Sequence, residues 1–181
     1  MADYEFVNKE LHKNIHFKTP SHFSFAQNES MIPIGHSEVP ILAKHLPIIF
    51  MKDANGKFHL ALLLSLIPGE NELIDDSGSW KLPYVPAVLR CHPFKLISFQ
   101  NSEKGGAPQK VLGFLKDTPF IKFENEDGTS SLFDTEGNLT QRAQHLNNLL
   151  SSLDQETSTT NKQLQKLFEL GLLAELSTTD K

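Results

Sequence analysis

The residues best able to do chemistry in this chain of 181 residues are a histidine and a glutamate two positions apart. His36 and Glu38 have the His-x-acid spacing of one half of a facial-triad iron site, which needs two histidines and one carboxylate. A distal histidine such as His92 or His145 would complete the set. The pattern therefore raises the hypothesis of a metal-dependent enzyme.

The surroundings of this pair favour a structural role. Pro33 and Pro40 flank it and restrict the backbone, and no strand that would project both side chains to one side is predicted. We therefore expect no metal at His36 or Glu38, and no cofactor. Glu38 is expected instead to cap a backbone turn or to pair with a cation such as Arg90.

Two further patterns could form reactive sites. His12 and His16 are four positions apart and would share one face of a helix, but no third ligand follows at a diagnostic spacing, so a polar arm is expected there. Cys91, the only cysteine, lies between Arg90 and His92. A neighbouring cation favours a thiolate. Adjacent side chains project in different directions in most backbone states, however, so a Cys–His catalytic pair is not expected.

The most distinctive part of the sequence is the 80–94 segment, which combines two large aromatic side chains and an arginine with three prolines. Trp, Tyr and Arg most often anchor protein interfaces, and prolines stiffen a loop and so lower the entropy cost of binding. We expect an ordered loop that shapes a concave surface beside the sheet. The candidate binding residues are Trp80, Tyr84, Arg90, Phe94, Glu70 and Asn71.

The composition of the 80–94 segment also fits a purely structural role. Trp80 and Tyr84 would then cover the end of the sheet, and Arg90 would pair with a carboxylate such as Glu70. The sequence leaves both alternatives open.

Hydrophobic patterning places these residues on an α+β scaffold. Residues 47–51 and 58–66 are apolar and flank Asn55-Gly56, a dipeptide typical of β-hairpin turns. Further short strand patterns follow up to residue 134, among them residues 95–99. We predict a mainly antiparallel sheet with C-terminal helices packed on one face.

Leucine spacing predicts two helices after the sheet. One covers about residues 141–153, after the typical N-cap residue Thr140, and the other covers about residues 161–171. The polar stretch 154–160 predicts a linker that lets the helices pack as an antiparallel pair. The predicted division is an irregular N-terminal arm over residues 1–46, a single α+β domain over residues 47–176 and a tail over residues 177–181.

Charge and hydropathy argue against several classes of protein. The chain has 17 Lys and Arg against 22 Asp and Glu, a net charge of −5, whereas nucleic-acid-binding proteins normally carry a basic surface. No apolar stretch approaches the roughly 20 residues of a membrane-spanning helix. The N-terminal residues lack the apolar core of a secretory signal. We therefore expect a cytoplasmic protein with no nucleic-acid partner and no membrane span.

A series of motifs spread along the chain matches those of a known family. They are Glu38-Val39-Pro40, Leu46-Pro47-Ile48-Ile49-Phe50, Gly69-Glu70-Asn71, Trp80 with Tyr84-Val85-Pro86-Ala87 and Leu89-Arg90, Pro93-Phe94, and Leu132-Phe133 with Gly137. Together they make the sequence resemble the SapC family over about residues 7–176. At Cys91 the family pattern commonly has a large or basic residue, which argues against a nucleophile there.

The resemblance implies a bacterial protein of loosely defined function, described as related to surface layers or peptide transport. Related genes commonly neighbour outer-membrane receptors and flavin-dependent halogenase-like enzymes. The resemblance carries over no catalytic residues.

Two functions follow from the sequence. The first is a non-enzymatic binding or accessory protein that engages a protein or peptide through the 80–94 segment, with a halogenase-like enzyme or a receptor-linked system as the partner that the resemblance implies. The alternative is a metal-dependent enzyme that uses His36, Glu38 and a distal histidine. A structural component of a surface assembly is disfavoured because no export signal is predicted. A homo-oligomer is compatible with each.

Overall fold

A computed structural model describes residues 3–99 and 109–174 of the chain. The described residues form short strands, two one-turn helices and one long helix. The strands are β1 (Tyr4–Phe6), β2 (His16–Phe17), β3 (Met31–Pro33), β4 (Ile48–Lys52), β5 (Phe58–Leu63), β6 (Phe94–Phe99), β7 (Gln109–Leu115), β8 (Ile121–Lys122) and β9 (Ser130–Ser131). The helices are α1 (Val39–Leu42), α2 (Ala87–Arg90) and α3 (Gln141–Glu169), and 3₁₀ turns lie at Ser24–Ala26 and His36–Glu38. The predicted tail, residues 177–181, lies outside the described residues.

The strands form three small antiparallel sheets, with the orders β1-β7-β6, β8-β2-β9 and β3-β5-β4. Helix α3 packs against β5 and β6. The predicted α+β class is confirmed.

The 1–46 segment, predicted to be an irregular arm, contributes one strand to each sheet. β1 pairs with β7, β2 lies between β8 and β9, and β3 pairs with β5. Strands of two or three residues are too short to show a period in the sequence, so their structure depends on the partner strand rather than on a local pattern.

The predicted β-hairpin is confirmed. β4 and β5 pair in antiparallel register from Ile48 opposite Leu62 to Lys52 opposite Phe58. In the turn, the Asp53 carboxylate accepts the backbone N–H groups of Asn55 and Lys57, both at 2.9 Å. Gly56 has a φ of 78°, a left-handed conformation that favours glycine.

Among residues 3–99 and 109–174, buried side chains form two core clusters. The first core cluster is Ile15, Phe17, Cys91, Phe94, Leu112, Phe114, Ile121, Leu132, Phe133, Ala143 and Leu150. The second core cluster is Phe23, Ala26, Ile32, Ile34, Leu42, Leu60, Leu62, Leu64, Leu73, Ile74 and Leu89. The 80–94 segment contributes to both clusters, so it connects the two halves of the core.

The prediction of two helices joined by a linker is wrong, because α3 runs without a break through residues 154–160. Thr140 caps the helix as predicted, and its hydroxyl oxygen accepts the N–H of Ala143 at 3.4 Å. Inside the predicted linker, the Thr157 hydroxyl donates to the carbonyl of Leu153 at 2.8 Å. A threonine hydroxyl can thus be satisfied within a helix, which is why a polar composition alone did not end it.

Glu156 explains what the middle of α3 does. Its carboxylate accepts the backbone N–H and the hydroxyl of Ser37, at 3.1 and 3.0 Å. Gly35 lies so close to this carboxylate that an added Cβ would collide with it. The polar stretch therefore ties α3 to the turn that carries His36 and Glu38.

None of the described helices is both long enough and apolar enough to cross a membrane.

Candidate functional site

Glu38 is a buried carboxylate with three hydrogen-bond donors. It is 4% exposed. One oxygen accepts the Gly35 N–H at 2.9 Å, and the other accepts the Tyr84 hydroxyl at 3.0 Å and the Ala87 N–H at 2.8 Å. The prediction that Glu38 caps a backbone turn is confirmed. The same carboxylate also anchors the 80–94 segment to the N-terminal part of the chain.

The metal-enzyme alternative fits this geometry poorly. Three donors already occupy most of the roughly four lone-pair sites of the Glu38 carboxylate, which leaves little capacity for a metal ion. His36 lies beside α3, with its Nδ1 3.4 Å from the Thr160 hydroxyl and 3.8 Å from the Glu156 carboxylate. Among the described residues, no group of three His, Cys, Asp or Glu side chains is arranged to hold a metal ion.

Tyr84 connects Glu38 to Arg90. The Arg90 guanidinium donates to the Tyr84 hydroxyl oxygen at 3.2 Å, and that hydroxyl donates to Glu38. Arg90 also donates through Nε to the carbonyl of Val85 at 3.0 Å. Burial and the nearby Glu38 carboxylate raise the pKa of Tyr84 above its usual value. The cation thus reaches the buried anion through a neutral phenol, and its side chain remains exposed at the surface.

Trp80 joins this network through the backbone. Its indole N–H donates to the Tyr84 carbonyl at 2.8 Å, and its ring lies edge-on to Phe23 with the centroids 6.4 Å apart. Trp80 is half-buried and packs against the second core cluster. The structure therefore connects Trp80, Tyr84 and Arg90 through hydrogen bonds.

The other three candidate residues do not share that surface. Phe94 is 4% exposed and packs edge-on against Phe17 in the first core cluster. The Asn71 side chain is buried, donates to the Ala26 carbonyl at 2.9 Å and accepts the Leu73 N–H at 3.0 Å. Glu70 is exposed on the turn before it, and Arg90 is held by Tyr84 and Val85 rather than by Glu70 as the structural alternative had it.

Cys91 and His92 are poor candidates for nucleophilic chemistry. Cys91 is 1% exposed, and burial raises the pKa of its thiol to about 11. Burial lowers the pKa of His92 to about 4, and its ring stacks on Phe25 with the centroids 3.7 Å apart. At neutral pH the thiol stays protonated, and thiols react as thiolates.

A groove of about 780 Å³ lies elsewhere, beside β4 and the end of α3. Trp80, Tyr84 and Arg90 do not line it. Its lining includes Phe50 and Lys52, neither of which is among the site residues predicted from the sequence. An apolar run such as residues 47–51 has the same pattern in a central strand and in an edge strand. The signal in the sequence was the lysine that follows it, since lysine is common on edge strands.

Comparison with known proteins identifies one family. The family model described as SapC matches residues 7–180 of the chain. No curated protein and no solved structure matches it.

Proposed function

We propose that this chain, which belongs to the SapC family, is a non-enzymatic binding or accessory protein that engages a protein or peptide partner through Trp80, Tyr84 and Arg90. The hydrogen-bonded path from Arg90 through Tyr84 to Glu38 is the observation that carries the proposal. We place this activity in the bacterial cytoplasm. Following the family resemblance, we propose a halogenase-like enzyme or a receptor-linked system as the partner to test first.

The path holds Tyr84 and Arg90 in place before any partner arrives, and the hydrogen bond from the Trp80 indole to the Tyr84 carbonyl holds the third anchor. Arg90 has hydrogen bonds to two acceptors and lies against the Tyr84 ring, with its guanidinium carbon 5.4 Å from the ring centroid. An exposed arginine normally loses side-chain entropy when it binds, and holding it in place beforehand reduces that cost. Among the described residues Arg90 uses two of the five N–H groups of its guanidinium, and a partner's carboxylate would accept from the others.

The test is cross-linking of the full-length chain to partner proteins, with a photoreactive residue at the exposed position Lys81. We expect a cross-linked partner that is lost in Arg90→Ala and retained in Arg142→Ala. Arg142 is the matched control, since it is the other arginine of the chain and bonds to Thr19 and Ser130. Equal cross-linking in both variants would refute this binding site.

Elemental analysis of the purified chain tests the non-enzymatic part of the proposal. Stoichiometric iron or zinc that is lost in His36→Ala would favour the metal-dependent enzyme instead.

A further inference from the structure

The strand β4 lies at the edge of its sheet within the part of the chain that the structure describes. At one end of the hairpin the Leu63 N–H donates to the Pro47 carbonyl at 3.0 Å, and at the other end the Asp53 N–H donates to the Lys57 carbonyl at 2.9 Å. The residues before and after β4 that make these contacts, Pro47 and Asp53, are both odd-numbered. The odd-numbered residues of β4 are therefore the ones that hydrogen-bond to β5.

This alternation determines which main-chain groups of β4 face away from β5. In an antiparallel pair, hydrogen-bonded and non-hydrogen-bonded positions alternate. Residues 49 and 51 therefore direct their N–H and C=O groups toward β5. Ile48, Phe50 and Lys52 direct theirs away from the sheet, where they form a row of donors and acceptors of the kind that receives an added strand.

The groove adjoins this edge. By strand register, Met31, Ile49, Met51 and Leu63 lie on one face of the sheet, and all four line the groove. Phe50 also lines it and is 50% exposed. An added strand would place alternate side chains about 5 Å from those of β4, next to an apolar surface.

Lys52 supplies the charge at this site. Among the described residues that line the groove it is the only charged one. Its ammonium lies 5.3 Å from the ring centroid of Phe58 and 4.7 Å from that of Phe168, which fixes it at the end of β4. A carboxylate on an incoming strand would complement it.

We propose that the outer edge of β4 is a second interaction surface, which binds an extended segment of a partner protein as an additional β-strand. The segment has apolar residues at alternate positions and an acidic residue opposite Lys52. This surface is separate from Trp80, Tyr84 and Arg90, so either proposal can fail without the other.

A second copy of this chain is a poorer occupant. Pairing β4 with its own copy about a two-fold axis at Phe50 places Lys52 opposite Ile48 of the other copy, and no carboxylate meets the ammonium. Lysine on an edge strand is a common device against such self-pairing. Charge complementarity therefore favours a foreign acidic segment.

The first experiment selects ligands with the full-length chain from a phage-displayed library of random peptides about seven residues long. We expect enriched sequences that alternate apolar residues and contain Asp or Glu. The best one, made as a synthetic peptide, should bind at least about tenfold more weakly to Lys52→Glu. Lys57→Glu makes the same charge change on the exposed turn outside the groove, and should bind the peptide as the unmodified chain does.

Amide hydrogen exchange of the ¹⁵N-labelled chain then tests the strand geometry. In the free protein the amides of Ile48, Phe50 and Lys52 should exchange faster than those of Ile49 and Met51. Addition of the peptide should slow the first three by at least about tenfold and leave the other two nearly unchanged.

Each remaining outcome overturns the proposal. Failure to enrich any peptide, or binding without protection of those three amides, excludes strand addition by a partner. Protection in the free chain that disappears when residues 175–181 are deleted assigns the edge to the chain's own C-terminal segment. Protection that rises with protein concentration assigns it to a second copy.

Discussion

A buried carboxylate holds the turn around Glu38 to the 80–94 segment. Each of its three hydrogen bonds satisfies a donor that would otherwise be removed from water, and leaving such a donor unpaired costs about 1–3 kcal/mol. Two of the donors are backbone N–H groups, from Gly35 and Ala87. Unlike a side-chain donor, a backbone N–H cannot rotate toward another acceptor. At this residue the same contacts serve stability and the placement of Arg90.

We expect Glu38→Ala to lower the free energy of unfolding by about 3 kcal/mol, because it leaves buried N–H groups without an acceptor. Urea denaturation followed by far-UV circular dichroism measures this loss. Glu70→Ala is the matched control, since Glu70 is exposed, and should change the free energy by less than about 0.5 kcal/mol. Equal stability of the two variants would contradict the role assigned to Glu38.

His92 makes stability depend on pH. Burial lowers its pKa in the folded chain to about 4 from an ordinary 6.5, and its Nε2 is buried with no hydrogen-bond partner among the described residues. Between these two pH values the unfolded chain binds a proton that the folded chain does not, so the contribution of His92 to stability falls as the pH falls from about 6.5 to 4.

His92→Phe should remove this dependence. The variant keeps the ring that stacks on Phe25 and deletes the unpaired nitrogen. Comparison of urea denaturation at pH 7 and pH 5 should show that the variant gains stability over the unmodified chain as the pH is lowered. An equal difference in the free energy of unfolding between the two proteins at both pH values would show that His92 does not bind a proton on unfolding.

Helix α3 is the element that connects distant parts of the chain. Its first half packs Ala143 and Leu150 into the first core cluster. Its second half lies along β5, where the Asn161 side chain donates to the Phe58 carbonyl at 3.0 Å. A helix interrupted at residues 154–160 could not hold both contacts in a fixed relation.

Ser158→Pro tests the continuity of α3. Ser158 is exposed, so the substitution removes little packing and acts mainly on the backbone. A proline inside a helix costs about 3 kcal/mol or more, and we expect a loss of that size in the free energy of unfolding. Ser158→Ala should be neutral or slightly stabilising. A flexible linker would tolerate the proline, so an unchanged stability would restore the two-helix arrangement.

At the scale of the whole molecule, the described residues pack around two core clusters that share the 80–94 segment. Leu89 packs in the second cluster, and Cys91 and Phe94 pack in the first. Neighbouring residues of one short segment thus pack into both halves of the core. We infer that the clusters unfold together, because loss of either one releases the segment on which the other depends.

Phe114→Ala tests this coupling. Phe114 is buried in the first core cluster, so its truncation should cost about 3–5 kcal/mol. Trp80, the only tryptophan, packs against the second cluster. In the variant, the unfolding midpoints measured by Trp80 fluorescence and by the circular dichroism of α3 should fall to the same lower denaturant concentration. Phe123→Ala, at a 71% exposed position, should move neither signal appreciably. Two separate transitions would mean that the clusters fold independently.

The sequence by itself determined the features that depend on local chemistry. Asn55-Gly56 specified the hairpin because few residues adopt the backbone that its turn requires. Thr140 marked the start of α3 because its side chain satisfies a free N–H. The motifs of the 80–94 segment indicated both the family and the three side chains that the structure brings together.

Only the tertiary structure decided the features that depend on a distant partner. The polar residues 154–160 lie inside α3, where Glu156 bonds to the distant Ser37. The short N-terminal strands depend on the strands that pair with them. Glu38 accepts hydrogen bonds from Tyr84 and Ala87, which lie 46 and 49 positions further along the chain. The edge position of β4 likewise depends on which strands pair. Such contacts leave no period or spacing in the sequence, since their energy arises only when both partners are folded.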